Sequence, residues 1–88
     1  MKLKYHFEIT QIGDEYLGVP VSSEIVEFKG LLKLNETAVF IVDGLKEDIS
    51  ENDLTQMVSD KFLCDFNEAK ENVNNIVDLL KSAGLILD

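Results

Sequence analysis

The stretch Leu31-Leu32-Lys33-Leu34-Asn35-Glu36-Thr37-Ala38-Val39-Phe40-Ile41 constrains this chain most, because it makes a short strand hand over to a helix at a single residue. The apolar run up to Leu34 is too short for a helix of its own, and Gly30 punctuates its start. Asn35 is a strong helix cap: its side-chain oxygen accepts from an orphan N–H of the first turn, while Glu36 complements the positive end of the helix dipole. The reading is a strand over Gly30–Leu34 and a helix from Asn35 onward.

Upstream, Tyr5, Phe7, Ile9 and Gln11 alternate with His6, Glu8 and Thr10. This period of two predicts a half-buried strand over Lys4–Ile12. Gly13-Asp14 supplies a turn, and residues 15–21 return as the partner strand, with Pro20 near its margin because proline cannot donate to a ladder. Ser22–Lys29 reads as a polar connection carrying Ile25, Val26 and Phe28, a candidate lid over one end of the core.

Two further helices have legible starts. Ser50 followed by Asp53 approximates a capping box, with Ile49 and Leu54 placed as its hydrophobic staple. Leu54, Met57, Val58 and Phe62 then share one face. Asp65 and Glu68 repeat the capping pattern, and Ala69, Val73, Ile76, Val77 and Leu80 form the next stripe. Gly84 ends that helix as a left-handed cap, with Leu85 placed for the apolar contact of a Schellman motif.

With 88 residues and 45% of them hydrophobic, residues 1–88 are expected to form one domain with one core and no need of disulfide or metal. Seventeen acidic against eight basic residues give a net charge of −9, and every basic residue is lysine, so the bidentate fork that grips phosphate is missing. An acidic surface also repels the nucleic-acid backbone. The lone Cys64 points to a reducing compartment. No apolar run approaches a membrane span, and Met1-Lys2-Leu3-Lys4 leads into alternation rather than a signal-peptide core. A soluble cytoplasmic protein is expected.

Catalytic chemistry is not legible. His6 has no ligand cluster near it and reads as an exposed strand residue. Cys64 lacks a second cysteine or neighbouring base and reads as a half-buried staple residue. The serines lie in no nucleophile elbow and the five glycines are scattered. No cofactor or metal is implied, and the chain is expected not to be an enzyme.

Taken in order, Gly13-Asp14, Tyr16, Val19-Pro20, Phe28-Lys29-Gly30, the Leu34-Asn35-Glu36-Thr37-Ala38 joint, the two capped helices with Val73, Ile76, Val77 and Leu80, and the closing Gly84-Leu85-Ile86 resemble the PqqD-like family. Its members act as recognition elements for ribosomally made, post-translationally modified peptides. Two positions depart from its pattern. Asn72 stands where Asp is common, removing a charge that would read a basic client, and Gly44 stands where Leu is common, at a cost to that helix of roughly 1 kcal/mol relative to Ala. The resemblance implies an α+β fold of winged helix-turn-helix-like type, a three-stranded antiparallel sheet followed by three helices.

An edge strand offers unpaired N–H and C=O groups to an incoming chain, which can add as a further strand. In the family resembled, leader peptides dock this way between the third strand and the third helix. Carried onto this sequence, the strand contributes Leu31, Leu32 and Lys33. The helix contributes Asn72, Asn75, Ile76, Leu79 and Ala83, the face beside the core stripe. Leu79, apolar among polar neighbours, either widens the core or lines the groove. The expected partners are a precursor leader peptide and a modifying enzyme such as a radical-SAM maturase or leader peptidase, with an edge-to-edge homodimer as a further state. Two other classes share the chain's small size or winged-helix type but not its motifs. An acyl- or peptidyl-carrier needs an Asp-Ser-Leu-type attachment site, absent here. A winged-helix DNA-binding domain needs a basic recognition helix, whereas Lys70 and Lys81 are outweighed by Glu68, Glu71 and Asp78.

Overall fold

The computed structural model describes residues 1–21 and 32–87, and of Val21 the backbone alone. The element order is β1 (Lys2–Leu3), β2 (His6–Ile12), β3 (Glu15–Val21), β4 (Leu32–Leu34), α1 (Glu36–Gly44), α2 (Glu51–Phe62), α3 (Phe66–Ser82) and β5 (Ile86–Leu87). A three-stranded antiparallel sheet in the order β2-β3-β4 is followed by three helices, an α+β fold. The ribbon of β1 with β5, which joins the two ends of the described chain, is a feature that the sequence pattern did not reveal.

The β2–β3 hairpin turns through Gly13-Asp14, and Ile12 sits opposite Glu15 across that two-residue loop. Gly13 has φ +62° while Asp14 keeps a negative φ, the type II′ pattern whose twist matches the flanking strands. Phe7 is buried and Ile9 half-buried on the core side, with His6, Glu8 and Thr10 exposed on the other. The strand starts at His6 rather than at the Lys4 that alternation predicts. Leu3 donates its N–H to the Leu45 carbonyl at 2.8 Å and Lys4 to the Leu85 carbonyl at 2.8 Å, so the chain bends at Lys4-Tyr5 before joining the sheet. Of the expected strand Gly30–Leu34, Leu32–Leu34 is observed. Gly30, Leu31 and the Ser22–Lys29 connection lie outside the described residues.

All three helix starts carry the expected caps. Asn35 accepts from the Ala38 N–H at 2.8 Å, Ser50 Oγ from Asp53 at 3.1 Å, and Asp65 from Glu68 at 2.8 Å. The α3 exit is a full Schellman motif: Gly84, at φ +73°, donates to the Lys81 carbonyl at 3.0 Å, and Leu85 donates to Leu80 at 2.9 Å. Leu85 is thereby folded into the core, along with Leu80, Val73 and Val77 of α3.

The core also takes Leu3, Phe7 and Leu34 from the strands, Ala38, Ile41 and Val42 from α1, and Leu54 and Val58 from α2. Each fully buried Leu or Ile contributes about 1.5–3 kcal/mol through its loss of contact with water. Phe40 and Phe62 meet edge to face at 5.5 Å between ring centroids, tying α1 to the end of α2. One position of the expected α2 stripe changes. Met57 is 40% exposed, and the buried place goes instead to Thr55, whose hydroxyl is satisfied by the Glu51 carbonyl at 2.8 Å. Gly44 is the last residue of α1, and a Cβ there would lie 2.8 Å from Leu54 Cδ1, so its small size permits the close approach of α1 and α2. The comparison with Ala therefore turns on packing rather than on helix propensity alone.

Candidate functional site

Among the described residues β4 stands at one open edge of the sheet. The hairpin turn settles which way its backbone faces. Residues flanking a two-residue loop hydrogen-bond each other, so Glu15 aims its main chain at β2, and the direction alternates along β3. Tyr16 and Gly18 accordingly face β4, where their register partners are Leu34 and Leu32. Lys33, between those two, turns its N–H and C=O away from β3, toward the open side.

Side chains on β4 divide between the two faces of the sheet. Leu34 is buried and Leu32 half-buried on the core face. Lys33 points to the other face, where its ammonium pairs with Glu15 at 2.9 Å. Both partners are well exposed, so this bridge is worth at most about 1 kcal/mol. A lysine here also guards the edge against indiscriminate pairing.

On α3, Asn72, Asn75, Ile76, Leu79 and Ala83 share one face by helical spacing. Asn72 and Ala83 are half-buried, Asn75 is exposed, and Ile76 packs partly against the core. Leu79 is 45% exposed and stands outside the core, which removes the wider-core reading. Leu32 and Lys33 therefore lie on the sheet edge and the five helical residues on one helical face. β4 packs mainly on β3 and α1, while α3 packs on α1, α2 and β5, so α1 is the element both walls share. Leu31 lies outside the described residues. The outward parity of Lys33 went unread in the sequence, although the Gly13-Asp14 turn carries the information needed to derive it.

The side chains set aside for catalysis are found where expected. His6 is exposed, and Cys64 is half-buried against the core, its carbonyl accepting from Ser59 Oγ at 2.7 Å. Among the described residues no group of His, Cys, Asp or Glu is arranged to hold a metal, and no helix is long and apolar enough to cross a membrane.

Comparison with curated proteins and with solved structures returned no match. The family model described as Coenzyme PQQ synthesis protein D (PqqD) matches residues 22–86. That span takes in the strand-to-helix joint, all three helices and the Schellman exit, and it begins after the hairpin. The match covers well over half of the chain, which therefore belongs to the PqqD family of small, generally non-catalytic accessory proteins, with a partner-binding role in the biosynthesis of coenzyme PQQ and of modified ribosomal peptides.

Proposed function

We propose that this protein is a non-catalytic peptide-recognition domain that binds the leader segment of a ribosomally made precursor and presents it to a modifying enzyme, a radical-SAM maturase or a leader peptidase. The leader adds as a strand along β4, its main chain bonding to Lys33 and its side chains reaching the α3 face of Asn72, Asn75, Ile76, Leu79 and Ala83. The observation that carries this reading is the open β4 edge with the Lys33 backbone turned outward. Main-chain bonds supply affinity with little sequence demand, and the exposed Leu79 supplies an apolar contact that selects for a leader side chain. Holding the leader in this way keeps the core peptide near the enzyme at high effective concentration, so one enzyme can act on varied core sequences.

The charge of −9 shapes which peptides are accepted. Neutral or basic leader segments are favoured, the preference weakening as salt screens it, and nucleic acid is repelled. The test is calorimetric titration of the full chain with the leader encoded beside it. Saturable binding that weakens in Leu79→Asp supports the reading, and its absence overturns it. An anisotropy titration with duplex DNA at physiological salt is expected to show no binding at micromolar protein.

A further inference from the structure

Among the described residues the sheet has a second open edge, β2. Counting from the same Ile12–Glu15 pair, Thr10 and Glu8 aim their main chains at β3, whereas Gln11, Ile9 and Phe7 aim theirs away from it. That outward side does not run into open solvent alone. Phe7, Ile9 and Thr10 form one wall of a groove of about 520 Å³ whose other wall is Val39, Asp43 and Lys46, at the α1 side. The groove continues, through His6, Phe7 and Lys46, into a cavity of about 320 Å³ lined also by Lys2, Lys4 and Tyr5.

The charge around this cavity is unlike that of the rest of the chain. Three of the eight lysines line it, with His6 and no carboxylate, in a chain that carries seventeen acidic residues. Lys2 and Lys4 make no ion pair among the described residues; Lys4 lies 5.6 Å from the Tyr5 ring centroid. Among the described residues the acidic groups nearby include Asp43, which pairs with Lys46 at 2.8 Å, Glu8 farther along the groove, and Asp48, which feels Lys2 and is held by the Met1 ammonium. The positive charge is thus gathered at the β1 end of the β2 edge.

From this arrangement we infer that β2 is a second strand-addition site, taking an extended segment of a partner protein that carries carboxylates at one end. The outward main chains of Phe7, Ile9 and Gln11 bond the segment, and Lys2, Lys4 and Lys46 receive its acidic end. A second copy of this chain fits poorly. An isologous β2–β2 contact would join two bodies of charge −9. The inference is independent of leader binding at β4, which favours peptides of the opposite charge.

The probe is a short acetylated peptide alternating valine with threonine and carrying glutamates at one end only, titrated into the full chain and followed by amide chemical shifts and hydrogen exchange. The expected result is saturable binding that shifts the Lys2, Lys4 and Lys46 amides, slows exchange at Phe7 and Ile9, and weakens with salt. Replacing all three lysines by glutamine is expected to weaken it about tenfold, with the melting temperature checking the fold. Gln11→Pro, which removes one outward donor at an exposed position, is expected to weaken it separately, whereas Lys33→Pro on the opposite edge leaves it unchanged. Perturbation centred on β4 and α3, affinity indifferent to the lysines, or no saturation by about 1 mM overturns the inference. So does concentration-dependent shifting of the β2 amides without peptide, which would assign the edge to a second copy.

Discussion

In the helical layer each start is closed by a side chain three residues away, Asn35 on Ala38, Ser50 on Asp53 and Asp65 on Glu68, whereas β1 and the approach to β2 are positioned by contacts from far along the chain. β1 pairs with β5, Leu3 donates to Leu45, and Ile49 donates to Met1. The helices, like the turn of the β2–β3 hairpin, are therefore specified locally, and the β1–β5 ribbon by what closes around it. The helical layer should tolerate change on its outer faces and fail only at buried positions. In the strand layer the outcome should depend on which way each backbone group faces.

The largest expected effect tests the helical half of that contrast at two adjacent leucines. Leu80 is 1% exposed and Leu79 is 45% exposed. Leu80→Asp buries an unpaired carboxylate and is expected to cost roughly 4 kcal/mol or more, enough to unfold a marginally stable domain. Leu79→Asp leaves the melting temperature within a few degrees and lowers leader affinity. Thermal melts paired with calorimetry separate the two, and a melted Leu79→Asp protein would end the claim for that residue.

Proline substitutions on β4 test the strand half. Leu32 faces Gly18 in the ladder, so Leu32→Pro removes a bonded donor and is expected to cost about 1–3 kcal/mol. Lys33→Pro removes an outward donor and an exposed ion pair, so the fold is kept while leader binding is lost. Equal leader affinity in wild type and a folded Lys33→Pro variant would exclude strand addition at this edge.

What the sequence made legible follows the same division. The Asn35, Ser50 and Asp65 caps and the Gly84 exit are each read from a few neighbouring residues, and so is the Gly13-Asp14 turn. The β1–β5 ribbon is not, because two-residue strands have no period and their pairing depends on Leu45 and Leu85. Met57 faces out while Thr55 is buried because the two lie two residues apart, about 200° of helical rotation, and the buried threonine hydroxyl is satisfied by Glu51. For the candidate site, Leu79 could be singled out by its polar neighbours, but its exposure and the outward turn of Lys33 depend on tertiary register. Leu63 is a further case: it adopts a left-handed conformation, φ 52°, at 92% exposure, with no local residue signalling it.

Two substitutions of about 1 kcal/mol sharpen the local part of the comparison. Gly44→Ala should improve helix propensity, yet its Cβ would press on Leu54 Cδ1 at 2.8 Å, and the expected net result is a loss of about 1 kcal/mol. Pairing it with Leu54→Val should give less than the sum of the single losses in denaturant titrations, since the shortened side chain relieves the contact. Leu63→Gly should raise stability by about 1 kcal/mol, because glycine adopts the left-handed cap without the steric cost borne by leucine.

The smallest expected effect lies at the clasp between the two layers. The Met1 ammonium donates to Asp48 at 2.9 Å and to the Ile49 carbonyl at 3.0 Å, joining the start of β1 to the loop that precedes α2. That hydrogen bond, together with the ammonium charge, holds the Asp48 carboxyl below its ordinary value of 3.8. A carboxyl depressed in the folded state stabilises the fold while ionised, so the contribution is fully present above the unfolded value and is lost as pH falls through the lower folded one. Asp48 is exposed, and salt screens the pair. The difference in melting temperature between wild type and Asp48→Asn is therefore expected to be small, flat above about pH 5, and to vanish on further acidification. Taking the difference cancels the other carboxylates, which titrate in both proteins. A difference that grows toward low pH would mean that the clasp is not what ties the strand layer to the α1–α2 loop.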